Sequence, residues 1–299
     1  NLLWEDSEFN TAVRDINANF PGMNTLEIVI ESKDPNNDAE RVGRLPDASM
    51  LRLQIQRLVE ADPVLPPRAT LSFTDYMMEG TRLMAGGNPK WLPLDNTRIA
   101  ANGAADAVTF GSNPINFGHV ADFVFQHSTV SLWYADNKQE TVDAALASAQ
   151  RAVDAVGADH ETFRVRMGTG FIALQQAMNR VVERYHWFIL GLVNLAILVI
   201  SAYAYRSFVA AFILLIPVNL SNFMLIAAMH ELGIGLDINA VIVAVMGVGV
   251  GIDYGIYLLS RICEEFTAQG HDWEKAITNA LTTTGKAIMF TATIMLVGI

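Results

Sequence analysis

Apolar residues are distributed unevenly along this chain. Up to residue 185 they alternate with polar residues over short stretches, whereas from residue 186 onward they form long uninterrupted runs. An apolar run of about 20 residues is long enough to cross a membrane as a helix. The pattern therefore predicts two domains, a water-exposed one over residues 1–185 and a transmembrane one over residues 186–299.

Apolar runs within residues 186–299 predict four membrane-spanning helices. They cover residues 187–205, 207–229, 238–260 and 287–299. The last run has only 13 residues, fewer than a span needs, so we expect a fragment cut at both ends from a longer membrane protein. Residues 261–286 carry apolar side chains at helical spacing, which predicts an amphipathic connector helix on the membrane surface.

The basic residues near the ends of the spans predict the orientation of the chain. Arg206, Arg261, Lys275 and Lys286 fall on one side, and residues 230–237 on the other side contain no Lys or Arg. The positive-inside rule places the basic side in the cytoplasm. We therefore expect a multi-pass protein of a bacterial inner (cytoplasmic) membrane, with residues 1–185 in the periplasm.

Residues 1–185 contain two strand–helix–strand patterns. Strands are predicted over residues 25–31, 69–74, 128–134 and 162–167, and helices over residues 47–61 and 139–156. The order β-α-β…β-α-β is that of a ferredoxin-like split unit, which predicts an α+β domain. A stretch rich in Gly, Pro and Asn, about 75–127, is predicted to be an insertion with short helices. Residues 171–185 are predicted to form a helix that leads into the first span.

Charge and composition exclude several function classes. The formal net charge is −11 at pH 7, and residues 1–185 carry −8 of it, which argues against a nucleic-acid partner. Histidines and the single cysteine form no cluster with ligand spacing, so we expect no metal site. We find no phosphate-binding loop and no nucleophile–base pair, and we expect neither a cofactor nor an enzymatic activity.

One carboxylate, Asp253, is the most informative residue of the chain. It is the only charge in the 23 residues of the third span. A charge at mid-membrane depth costs about 2.5–3.5 kcal/mol, so such a residue usually carries a proton, binds an ion or pairs with a buried cation. Exclusion from water should raise its pKa toward neutrality. An alternative that the sequence leaves open is a purely structural hydrogen bond to Asn219 or Asn222.

Glycines surround this carboxylate on the same predicted helix. Gly247, Gly251 and Gly255 follow one another at intervals of four, which allows close approach of a neighbouring helix. Gly249 lies one turn before Asp253 and leaves space beside it. A helix with glycines on two faces is expected to be central in a helix bundle.

These residues form a motif that resembles a known family. The stretch Gly247-Val-Gly-Val-Gly-Ile-Asp253-Tyr254-Gly-Ile-Tyr-Leu-Leu-Ser-Arg261 resembles the fourth or tenth helix of resistance-nodulation-division (RND) exporters, in the mycobacterial-membrane-protein-large and hydrophobe exporter branch. Thr284-Gly285-Lys286-Ala287 is similar to the beginning of that family's next helix. Residues 170–179 resemble the start of its second or eighth helix.

The resemblance implies one repeat, with the C-terminal repeat favoured, of an exporter that uses the proton-motive force to move lipids or other hydrophobic molecules. It implies that Asp253 and Tyr254 form half of a proton relay, with Asn219, Asn222 and Thr291 as candidate neighbours. The other half would belong to the missing second repeat. Further implied partners are membrane lipids, and either further copies of the protein or periplasmic accessory proteins.

One departure from the family pattern is Tyr257, where related sequences often carry His, so a role for this position is not carried over. A second function class is compatible with the same architecture. It is a lipid- or sterol-sensing protein, or a protein-translocation accessory, that exports no small molecules. A matching intramembrane Asp in the missing repeat would favour the exporter.

Overall fold

The structure is a computed structural model that describes residues 6–34, 36–232 and 238–298. It forms two compact units, one up to Ala177 and one from Met178 onward. The first combines a sheet with helices, and the second is helical.

A four-stranded antiparallel sheet organises the first unit. Its strands are β1 (Asn24–Ser32), β2 (Ala69–Ser72), β3 (His127–Tyr134) and β4 (Phe163–Thr169), in the spatial order β2-β3-β1-β4. The side chains of β1 alternate between buried and half-buried. This period of two is expected for a strand with one covered face. It places Leu26, Ile28 and Ile30 in the core, where each is fully buried.

Two helices supply the other half of this core. They are α2 (Pro46–Glu60) and α6 (Gln139–Val156), which pack against each other and against the sheet. All four strands and both helices coincide, within a few residues, with the segments that the sequence predicts. The structure adds helix α1 (Glu8–Asn19), which is not among the predicted helices, although its apolar positions recur at intervals of three and four; none of its residues is buried.

Between β2 and β3 the chain forms a second, smaller core. Its helices are α3 (Phe73–Met84), α4 (Arg98–Gly111) and α5 (Pro114–Phe117), together with the 3₁₀ turn Pro89–Trp91. Aromatic rings fill the centre, since the rings of Phe73, Phe117 and Phe125 lie 5.3–6.1 Å apart between centroids.

A buried arginine joins the two cores. Arg52 of α2 is fully buried and donates hydrogen bonds to Thr74 Oγ1 (2.7 Å), Ser128 Oγ (2.8 Å) and Ser49 Oγ (2.8 Å). Burial lowers the pKa of its guanidinium to about 9, against the opposing attraction of Asp75. Because a buried donor without an acceptor is costly, these three hydroxyls fix the position of α3 relative to the sheet.

Asp62 fixes the turn between α2 and β2. Its carboxylate accepts hydrogen bonds from the backbone amides of Val64 (2.9 Å) and Leu65 (3.1 Å), and it forms an ion pair with Arg151 of α6. Burial alone would raise the pKa of Asp62, but the hydrogen bonds from Arg151 and the two amides outweigh it. The net pKa is therefore well below its usual range.

This depressed pKa predicts acid sensitivity of the first unit. Asp62 stabilises the fold fully above its unfolded pKa of about 3.9, and this stability is lost as the pH falls below that value. Asp62→Asn should cost about 1–2 kcal/mol at pH 7, since Arg151 is half exposed and water screens the pair. Thermal unfolding in detergent at pH 7 and at about pH 2–3 measures this, and the variant's deficit should shrink in acid. An equal deficit at both pH values would contradict the assignment.

The second unit consists of long apolar helices joined by short connections. After α7 (Phe171–Tyr205), which begins in the first unit, the elements are α8 (Phe208–Glu231), α9 (Ile238–Ala268), α10 (Trp273–Ala280), a π-helical turn (Leu281–Gly285) and α11 (Lys286–Gly298). Among the described residues, α7 and α8 are long and apolar enough to cross a membrane, by length and composition. Of the loop predicted over residues 230–237, residues 233–237 lie outside the described part of the chain.

Helix α9 extends beyond the predicted end of the third span. The sequence predicts that the span ends at Ser260 and that the connector begins at residue 261, but the helix continues to Ala268. Arg261 pairs with Glu264 (2.9 Å) and Glu265 (2.5 Å), at i,i+3 and i,i+4 spacing, which stabilises the additional turns. The separate helix of the connector is therefore confined to α10.

Candidate functional site

The residues of the predicted site lie on α9, which packs against α8. At Gly255 the backbone of α9 lies against a side chain of α8. A methyl group added at Gly255 would lie 3.1 Å from Leu214 Cδ2 of α8. By contrast, one added at Gly249 would meet no atom within 4 Å. The glycine spacing thus permits close packing at Gly255 and leaves open space at Gly249.

The contact between Gly255 and Leu214 predicts that a larger side chain at residue 255 disturbs the packing of α8 against α9. Gly255→Leu should lower the melting temperature of the detergent-solubilised chain, because overpacking costs about 1–3 kcal/mol. Gly249→Leu is the matched control, since it gains the same helix propensity without meeting a neighbour. If the two variants melted at the same temperature, α8 and α9 would not be held together at Gly255.

Asp253 has an exposed side chain on α9. Within the described parts of the chain, it makes no hydrogen bond and no ion pair. The expectation that Asp253 is enclosed is therefore not met by this chain alone. Tyr254 is half-buried, and its hydroxyl donates to Met295 Sδ of α11 at 3.3 Å.

Two of the three predicted neighbours have partners elsewhere. Asn219 of α8 donates through Nδ2 to Asn194 Oδ1 of α7 (2.7 Å) and to its own helix at Leu215 O (2.9 Å). Thr291 of α11 donates back to Ala287 O (2.8 Å). The first pair joins two spans, as polar side chains between membrane helices commonly do.

The third predicted neighbour, Asn222, lines a cavity between α8 and α9. The cavity has a volume of about 160 Å³, and Asn222 is only 6% exposed. Gly247 and Gly251 form the α9 side of the cavity, so the structure brings these three predicted site residues together. Asn222 makes no hydrogen bond to any residue that the structure describes.

Sequence reasoning missed several residues that hold this site. Tyr205, at the end of α7, donates to Ile256 O of α9 (3.1 Å), and its hydroxyl lies 2.7 Å from Ser260 Oγ. Asn194, the partner of Asn219, could have been found as the only amide in the first apolar run. The role of Tyr205 had no comparable signal, because an aromatic residue at a span end is expected there in any case.

Comparisons with known proteins point to one family. The sequence model of the MMPL family matches residues 125–299. The protein MJ1562 of Methanocaldococcus jannaschii, described as a membrane protein, is 30% identical over 132 residues, which cover 44% of this chain and 34% of that protein. The trehalose monomycolate exporters MmpL3 of Mycolicibacterium smegmatis and Mycobacterium tuberculosis are 39% and 37% identical over 54 residues.

These relatives are much longer than the matched region. The 54 residues cover 18% of this chain, but only 5% of the first exporter and 6% of the second. The matched part of the chain thus spans 34% or less of the length of these relatives.

Proposed function

Since this chain belongs to the MMPL family, as its match over residues 125–299 shows, we propose that it is one repeat of an RND-type exporter of lipids or other hydrophobic or amphiphilic molecules. We propose that the proton-motive force drives it and that Asp253 and Tyr254 form half of the proton relay. The observation that carries this proposal is a carboxylate, in an otherwise uncharged 23-residue apolar stretch, on an exposed position of α9.

The exposed position of Asp253 has an energetic consequence. A carboxylate that faced lipid would cost about 2.5–3.5 kcal/mol. None of the side chains described in this structure offsets that cost through a hydrogen bond or ion pair. We propose that a second repeat of the same protein supplies the polar surroundings of Asp253. In that arrangement the carboxylate is shielded from water, and it gains and loses a proton as the two repeats move.

The membrane orientation follows from the basic residues. Arg206, Arg261, Lys275 and Lys286 lie near the ends of the predicted spans, on the proposed cytoplasmic side of an inner membrane. Residues 186–299 then form the transmembrane domain of a multi-pass protein. Helix α10 carries Trp273 and Ile277 exposed and Ala276 buried, an arrangement that suits a helix in the membrane interface.

Residues 1–185 are proposed as a periplasmic porter-type domain with a ferredoxin-like fold. The antiparallel strand order β2-β3-β1-β4 and the two crossover helices, α2 and α6, support this assignment. The helices between β2 and β3 correspond to the proposed insertion at about 75–127. In this arrangement the domain captures substrate outside the membrane.

The substrate class is proposed at the level of the family. Two matched relatives are named as trehalose monomycolate exporters, which supports a lipid or other amphiphile as cargo. Family membership also favours a transporter over an enzyme. Oligomers and periplasmic accessory proteins remain proposals that follow from the resemblance.

The proposal is tested with the full-length protein in liposomes. A fluorescent lipid on one leaflet and a pH indicator in the lumen report substrate movement and proton flux together. With an imposed pH gradient, lipid movement should be accompanied by proton flux, and an ionophore that collapses the gradient should stop both. Lipid movement that continued unchanged without a gradient would contradict proton coupling. If no lipid or amphiphile moved and no proton flux occurred, a sensing or accessory role would be favoured instead.

A further inference from the structure

The cavity between α8 and α9 contains a buried polar group that has no hydrogen-bond partner among the described residues. Asn222 is 94% buried and lines the cavity together with Ser221, Gly247 and Gly251. No residue in the described parts of the chain offers its amide a donor or an acceptor. Since buried amides in folded proteins are almost always hydrogen-bonded, something that enters the cavity must pair with Asn222.

We infer that this cavity is a binding site for a small cluster of ordered water molecules at mid-membrane depth. A volume of about 160 Å³ exceeds the roughly 10–15 Å³ that one water molecule requires. The Asn222 amide supplies two donors and an acceptor, and the Ser221 hydroxyl supplies a further donor and acceptor. Pro217, which also lines the cavity, lacks an N–H and so leaves the carbonyl of residue 213 without its helical donor.

The chemistry of the lining selects water over the other candidates. The described lining residues include no carboxylate, so they lack the charge that offsets dehydration of a metal cation. A lipid chain would leave the Asn222 amide without a hydrogen bond, and burying an unpaired amide is energetically costly. Water pairs with the amide and with the hydroxyl at once.

The glycines provide the space for the water. A methyl group added at Gly247 or at Gly251 would meet no atom within 4 Å, so both positions border open volume. Gly247, Gly251 and Tyr254 follow at i, i+4 and i+7, which places them on one face of α9. The water site therefore lies along the same helix face as Tyr254, and we assign to it the supply of protons to the relay. This role, unlike the water site itself, depends on the proposed function.

Thiol reactivity tests the water site directly, because a methanethiosulfonate reagent reacts with the thiolate, which forms only where water is present. Cys263, the only cysteine, is first replaced by Ser. In the full-length protein in liposomes, Asn222→Cys and Ser221→Cys should react at least about tenfold faster than Phe223→Cys. Phe223 is the matched control because it is exposed, as Ser221 is, but is not among the described residues that line the cavity. Reaction at both cavity positions no faster than at residue 223 would overturn the water site. Testing Ser221→Cys, a nearly isosteric change, keeps the result decisive if Asn222→Cys fails to insert.

A substitution that fills the cavity tests separately whether water binds there and whether this water supplies protons to the relay. Gly251→Val should slow labelling of Asn222→Cys at least about tenfold, and in the unlabelled protein it should reduce proton flux by a similar factor. Blocked labelling with unchanged proton flux would overturn the supply of protons through this cavity. Labelling at residue 222 should be the same when Asp253 is replaced by Asn, so a failure of the relay proposal leaves the water site standing.

Discussion

Replacing Asp253 by Asn in the full-length protein should abolish proton-coupled export while leaving membrane insertion unchanged. Asn is nearly isosteric with Asp, but it carries no charge and cannot take up or release a proton. Positioned proton-transfer groups typically contribute 10²- to 10⁴-fold, so we expect a loss of at least about 100-fold in both proton flux and substrate movement. The measurement is the paired liposome assay, with the amount of inserted protein quantified for each variant.

Glu264→Gln is the matched control for this variant. Glu264 is an exposed carboxylate on the same helix, beyond the apolar stretch, and it pairs with Arg261. Its neutralisation should leave export within about twofold of the wild type, because a surface ion pair contributes little. Undiminished export by Asp253→Asn would refute the relay role, and equal losses in both variants would indicate a general charge effect on α9.

The elements that the sequence predicted well are those with a clear periodicity. The alternation in residues 25–31 predicts strand β1 because one face of the sheet is covered by α2 and α6. Long apolar runs predict α7 and α8 for a different reason, since only a membrane accommodates them. Helix α1 has a helical periodicity that was missed, and its residues are all at least partly exposed. The continuation of α9 past Ser260 depends on local ion pairs that an apolar pattern does not report.

The candidate site was predictable in its composition but not in its contacts. A charge within an apolar run identifies Asp253 from the sequence alone. Helical spacing also indicates which residues share a face, and Gly247 and Gly251 do line one cavity. It does not determine how neighbouring helices are rotated. For that reason the sequence could not show that Asn219 faces Asn194 or that Tyr254 reaches Met295.

Sequence spacing likewise does not report the contacts of the glycines that precede α7. The spacing of Gly168 and Gly170 indicates a turn between a strand and a helix. It does not reveal that Gly170 lies directly against strand β1. A methyl group added at Gly170 would lie 2.6 Å from Thr25 O, and the residue has φ = +93°.

Gly170→Ala should therefore be the most destabilising single-methyl substitution in the first unit. A non-glycine residue at such a φ costs about 1–3 kcal/mol, and overpacking against a backbone that cannot rotate away adds about 1–3 kcal/mol. We expect a total of about 3 kcal/mol or more, which lowers the melting temperature by roughly 6–12 °C for a unit of this size. Thermal unfolding of the detergent-solubilised chain, followed by circular dichroism, measures the change.

Gly168→Ala separates the two causes. Gly168 also has a positive φ, of +118°, but an added methyl group there would meet no atom within 4 Å. The two variants share the conformational cost, so the excess destabilisation of Gly170→Ala measures the collision with Thr25 O alone. Equal melting temperatures would mean that β1 shifts to accept the methyl group. In that case the register between β1 and β4, which changes near Glu27 and Ile28, would be the adaptable part of the sheet.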